Sequence, residues 1–238
     1  MLLFGRHLKK SLDDCKGEID NNLGVLIVID GKVGYGKTTI ATLIAQYLQP
    51  DFNIGEQTGR GSKEFLERFF WTVKHCKAQY KVCIYDEAGD FNSKATLTRM
   101  NRTLNTVFDT YRQTKVIVIM CLPRFYYLDK GVFDKGVFQF LLNVYAKRND
   151  EYTRYRAFDL FSVYKMLARI TRKKIDVLPS VYRVSPYECF NEVCLSPAAG
   201  LQSNINESSL MGKTAILGDI HNEHTTGSDF DKLLEFSK

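Results

Sequence analysis

Apolar residues fall in two rhythms along this chain. Residues 25–29, 80–85 and 115–121 are short, largely uninterrupted apolar runs, which read as strands buried on both faces. Between them the spacing turns helical. Ile40, Leu43, Ile44 and Leu48 recur over residues 39–48, and Gln49-Pro50-Asp51 stops that helix. Ser62 can cap a helix running to Lys77, with Phe65, Phe69, Phe70 and Val73 on one face. Asn92-Ser93 can cap another that reaches about Arg112, and residues 52–57 read as a short strand. Strands alternating with helices predict an α/β domain around a mostly parallel sheet.

After residue 135 the pattern changes. Residues 138–146 and 152–158 flank Asn149-Asp150-Glu151 and predict a β-hairpin. A helix follows over residues 161–171. Residues 1–23 are mixed and polar and read as an extension, with residues 24–175 forming the main domain. Residues 176–238 read as a small C-terminal appendage. Its tail, from Ser203 onward, is rich in Ser, Asn, Gly and Thr and is expected to be loosely ordered, with a short helix near residues 229–236.

Composition adds bounds. The chain has 238 residues, 45% hydrophobic and 25% charged, ordinary values for a globular domain. No stretch approaches the ~18 apolar residues of a membrane span. The opening Met1-Leu2-Leu3-Phe4 is too short for a signal peptide. A cytoplasmic location is expected, in the host cytoplasm if the chain is viral. The six cysteines are scattered rather than set in a disulfide framework. A net charge of +6 permits nucleic-acid contact without demanding it.

Chemistry enters at Gly31-Lys32-Val33-Gly34-Tyr35-Gly36-Lys37-Thr38, which fits the Walker A pattern G-x-x-x-x-G-K-S/T. It lies between the first strand and the first helix, the context a phosphate loop needs. Gly31, Gly34, Tyr35, Gly36, Lys37, Thr38 and Thr39 are the expected nucleotide-binding residues. The glycines let backbone N–H groups turn toward phosphate, and the helix start adds its positive end. Lys37 would bridge the β- and γ-phosphates, and the Thr38 hydroxyl would ligate Mg²⁺. About 50 residues further on, an apolar run ends in Asp86-Glu87, the Walker B arrangement. Asp86 would hold Mg²⁺, and Glu87 would polarise the attacking water. Arg112 precedes the third strand and is a candidate arginine finger or sensor, with Arg99 and Arg102 as competitors.

Three segments together carry a family resemblance: the phosphate loop, Tyr85-Asp86-Glu87-Ala88-Gly89-Asp90-Phe91, and the stretch from Arg112 to Asp129 with its apolar strand and Pro123. The chain resembles P-loop ATPases of the additional-strand, catalytic-glutamate class. It is most similar to HerA/FtsK-type and zonula occludens toxin-like ATPases of viruses and mobile elements. The resemblance covers about residues 24–147. It implies a RecA-like core, with the 115–121 strand between the Walker A and Walker B strands. It also implies ATP and Mg²⁺ as cofactors, assembly of copies into a ring, and motor work on DNA. The polar sensor that ends this strand in many such ATPases is replaced here by Met120-Cys121-Leu122-Pro123. Two other readings stand beside the motor. One is a thymidine-kinase-like nucleoside kinase, to which residues 86–91 bear a fainter likeness. The other is an ATP-gated assembly protein with little turnover.

Basic and aromatic residues interleave on the hairpin and the following helix: Lys147, Arg148, Arg154, Arg156, Lys165, Arg169, Arg172, Lys173 and Lys174, with Tyr145, Tyr152, Tyr155 and Tyr164. Such a patch either tracks phosphates and stacks on bases or is a solvated face over core tyrosines. Cys189, Cys194, His221 and His224 are residue types that hold zinc, at a looser spacing than zinc sites use.

Overall fold

A computed structural model describes residues 5–86, 107, 111–128, 132, 136–148, 152–173 and 189–195. All lie in the first of the chain's two units, Met1–Pro197; the second is Ala198–Lys238. The elements are α1 (Arg6–Asp20), β1 (Val25–Gly31), α2 (Lys37–Leu48), α3 (Ile54–Gln57), β2 (Thr58–Arg60), α4 (Gly61–His75), β3 (Lys81–Asp86), β4 (Val116–Leu122), β5 (Phe138–Arg148), β6 (Tyr152–Phe158), α5 (Leu160–Lys173) and β7 (Cys189–Leu195).

The strands form one seven-stranded sheet in the order β2-β3-β4-β1-β5-β6-β7. From β2 to β5 neighbouring strands run parallel; β6 and β7 join antiparallel. Every residue of β1 and β4 is buried. These are the strands that the uninterrupted apolar runs predict, since helices on both faces demand apolar side chains on both faces. β4 lies between β1 and β3, as the resemblance implies. The expected hairpin is present as β5 and β6. The architecture is the P-loop α/β fold, with the sheet extended on one side by the hairpin and β7.

Three expectations need correction. Residues 1–23 are not simply a polar extension, because α1 buries Leu8, Leu12, Cys15 and Ile19. That spacing places all four on one helix face. Polar groups then pin α1 to the domain: the Tyr47 hydroxyl donates to Asp13 at 2.7 Å, and Tyr80 donates to Asp20 at 3.1 Å. Lys16 sits over the rings of both tyrosines. Residues 52–57 are not a strand. Asn53 accepts a hydrogen bond from the Gly55 N–H and starts the single turn of α3, so β2 begins only at Thr58. Finally, β7 pairs with β6, which carries the sheet beyond residue 175, where the main domain was expected to end.

The helix expected from Asn92 lies outside the described residues, apart from helical Val107 and a 3-10 turn over Tyr111–Thr114. Lys115 then takes a left-handed backbone (φ 54°) and turns the chain into β4.

α4 seats against β2 and β3 without a linker. Gly59 makes this possible: a Cβ there would lie 2.3 Å from the Phe65 Cα. The Phe65 ring stacks on Tyr85 at 4.4 Å, with both residues fully buried. This contact fixes the end of β2 beside the end of β3.

β2 is too short to cover the start of β3, and two glutamines take its place. The Val82 N–H donates to the Gln49 side-chain Oε1 at 2.9 Å, and the Gln57 side-chain amide donates to the Val82 main-chain carbonyl at 2.7 Å. The two side-chain amides also exchange hydrogen bonds with each other, and the Asn53 N–H donates to Gln57.

Candidate functional site

The loop between β1 and α2 has the curvature its sequence demands. Gly34 and Gly36 adopt φ of 82° and 88°. Gly31 combines a positive φ of 145° with close packing, because a Cβ there would meet the Val144 carbonyl oxygen of β5 at 2.3 Å. Lys37, the first residue of α2, folds back along the loop. Its Nζ donates to the Gly31 carbonyl at 2.8 Å and the Lys32 carbonyl at 3.1 Å. Tyr35 lies beneath the Lys32 ammonium, 6.0 Å from ring centre to nitrogen. Thr39 is half-buried on the first turn of α2.

Asp86 ends β3 at the level of Thr38. The Thr38 hydroxyl lies 3.1 and 3.3 Å from its two carboxylate oxygens and donates to them. Thr38 and Asp86, each expected at Mg²⁺, are thus in direct contact. Their chemistry fits Mg²⁺, which takes oxygen donors, uses few protein ligands and completes its shell with water and phosphate. No cluster of three His, Cys, Asp or Glu side chains suited to a metal occurs among the described residues. Glu87 lies outside the described residues. Arg112 falls in the 3-10 turn before β4, with only its backbone described.

Three residues of the site were missed by sequence reasoning. Arg60 ends β2 directly opposite Asp86 in the parallel register. Its Nε is 4.0 Å from an Asp86 oxygen, and the two residues are only 7% and 4% exposed. The Arg60 N–H donates to Glu64 on the first turn of α4. Asp30, fully buried at the end of β1, accepts from the Phe125 N–H at 3.1 Å and from the Asn143 amide at 2.9 Å. Asp30 thereby ties the strand before the loop to the segment after β4 and to β5. A polar residue closing an apolar run was the available signal for Asp30. For Arg60 and Asn143 the sequence held none.

Cys121 is the second-to-last residue of β4. It is fully buried. Burial pushes the thiol well up from its ordinary value. The Asp86 charge adds to that, and Lys37 opposes it.

The basic and aromatic patch is divided. Tyr155 is fully buried and belongs to the core. Arg156 lies over the Tyr145 ring at 4.6 Å and Lys165 over Phe161 at 4.3 Å, while Phe161 and Tyr164 are exposed. Cys189 and Cys194 lie on β7, and His221 and His224 fall outside the described residues. No described helix is long and apolar enough to cross a membrane.

No protein-family model matches the chain, and no curated protein matches it. Solved structures do. The N-terminal domain of zonular occludens toxin from Neisseria meningitidis is 13% identical, with 58% of this chain and 84% of that chain covered and a TM-score of 0.39. The genome packaging NTPase B204 of Sulfolobus turreted icosahedral virus 2, in complex with AMPPCP, is 15% identical over 74% of this chain and 100% of that one, with a TM-score of 0.41. The FIGL-1 AAA domain in complex with ADP is 17% identical over 61% and 55%, also with a TM-score of 0.41. At this level of likeness the functional reading depends on the site's own geometry.

Proposed function

We propose that the protein is an Mg²⁺-dependent ATPase that acts on DNA as a motor, with copies assembled in a ring. The contact between the Thr38 hydroxyl and the Asp86 carboxylate, beside a glycine loop carrying Lys37, is the observation that carries the ATPase reading. Mg²⁺ held there would draw charge from the γ-phosphate as the bond to it breaks. The chain's own residues do the rest. The loop amides and the start of α2 bind phosphate oxygens, and Lys37 exchanges its two carbonyl partners for the β- and γ-phosphates. Thr38 and Asp86 fix the cation's place. Glu87, one residue beyond β3, orients the water that attacks.

Work on DNA rests on the family resemblance and on the cationic side chains paired with rings at Arg156–Tyr145 and Lys165–Phe161. An ATPase assay with and without DNA, read beside the oligomer size, tests it. DNA should stimulate turnover, and Glu87→Gln should lower it by roughly 10²–10⁴-fold. Stimulation by a nucleoside instead of DNA would make the chain a kinase. One observation favours an ATP-gated assembly protein: β4 ends in Met120-Cys121-Leu122, with no Asn, Thr, Ser or Gln at the sensor position. That reading predicts tight ATP binding, negligible turnover and a change in oligomer size.

A further inference from the structure

Arg60 has no role in the ATPase scheme above, yet it stands at the centre of the site. It reaches Asp86 from the strand on the side opposite β4. Asp86 is thus approached by the Thr38 hydroxyl from α2 and the Arg60 guanidinium from β2. Of these, only Arg60 brings a positive charge, and it does so where solvent screening is weak, since both partners are more than nine-tenths buried.

We infer that Arg60 makes metal binding conditional on nucleotide, by occupying Asp86 as a competing cation until phosphates bring enough negative charge for both. The inference rests on the nucleotide reading of the site. Its physical basis is charge balance. A divalent cation arriving alone at Asp86 must displace the guanidinium or sit beside it, and one carboxylate does not neutralise both. A cation arriving with a triphosphate brings several negative charges. The guanidinium's planar fork of donors matches phosphate oxygens as well as it matches a carboxylate. Arg60 is held for this task from behind. Its N–H is fixed by Glu64, and Gly59 lets α4 press the end of β2 against β3.

The test is a titration with Mn²⁺, a paramagnetic stand-in for Mg²⁺, followed by the EPR signal of the free ion. The wild-type protein should bind Mn²⁺ alone at least tenfold more weakly than with a non-hydrolysable ATP analogue present. Arg60→Gln should bind Mn²⁺ alone at least tenfold more tightly than wild type. Arg60→Lys, which keeps the charge, should behave as wild type does. Thermal melting checks that the variants fold; if Arg60→Gln does not, Arg60→Met takes its place. Equal Mn²⁺ affinity of wild type with and without the analogue overturns the inference. So does an Arg60→Gln variant that folds and binds Mn²⁺ alone no better than wild type. Failure of wild type to bind the analogue under any metal condition overturns the nucleotide reading itself.

Discussion

The two ends of β3 solve the same problem with opposite chemistry. At Val82 the strand has no β2 residue beside it, and Gln49 and Gln57 complete the hydrogen bonds with neutral amides bonded to each other. At Asp86 the strand ends in a buried carboxylate beside a buried arginine and a hydroxyl. Neutral amides that satisfy one another bury at little cost and serve stability. Buried charges are expensive, and replacing a buried ion pair by apolar groups is often neutral or better. On the proposed function the charged end is the one kept for a ligand, and the amide end is the one that holds the sheet.

The contrast can be broken most severely at Lys37. Lys37→Ala removes the ammonium expected on two phosphates. Nucleotide affinity should fall about 100-fold or more while the melting temperature barely moves, as measured by binding of a fluorescent ATP analogue beside calorimetry. Gln57→Ala should do the reverse. It strands the Val82 carbonyl and the Gln49 amide and should cost about 2–3 kcal/mol, roughly 4–12 °C in Tm. Nucleotide affinity, corrected for the folded fraction, should stay within about twofold, well below the tenfold that 1.4 kcal/mol would represent. A large affinity loss in this variant would show that the two ends are not separable.

Asp30→Ala tests the border between the two behaviours. It frees the Phe125 N–H and the Asn143 amide, so about 1–3 kcal/mol should be lost in urea unfolding, with weaker nucleotide binding as the loop's first residue loosens.

A last effect is confined to alkaline solution. Burial, reinforced by Asp14 and Glu18, raises the Cys15 thiol from 9.0 to about 12. A raised folded pKa means that the stability is whole below pH 9 and is lost as pH climbs toward 12. The cost is about 1.4 kcal/mol per pH unit per such thiol. Buried Cys83 shifts upward for the same reason and steepens the decline. Cys15→Ala should flatten the fall of the urea midpoint between pH 9 and 11.

What the chain disclosed beforehand follows from how each feature is encoded. The phosphate loop and Asp86 were legible because both need fixed residue types at fixed local offsets beside an apolar run. β4 could be placed between β1 and β3 only through the family resemblance, since pairing partners are far apart in sequence. α1 was written in Leu8, Leu12, Cys15 and Ile19, but lysines and aspartates around them masked the stripe. Arg60 was invisible. A three-residue strand has no periodicity to read, and its meaning comes from lying opposite Asp86 across the sheet. Gln49 read as a helix stop and Gln57 as the end of a short strand, because only the fold shows that they complete the edge of β3.

Lys37 has a consequence in time as well as in affinity. Its two bonds to the carbonyls of Gly31 and Lys32 brace the loop from within. On the proposed function, an arriving nucleotide would meet a loop already shaped, and only side chains, Lys37 and Arg60, would have to turn. Rotations of that kind take picoseconds to nanoseconds, far less than the wait between diffusive encounters at cellular concentrations. Arrival should thus set the association rate, with no slow rearrangement after contact, and stopped-flow traces should follow one exponential whose rate rises linearly with nucleotide.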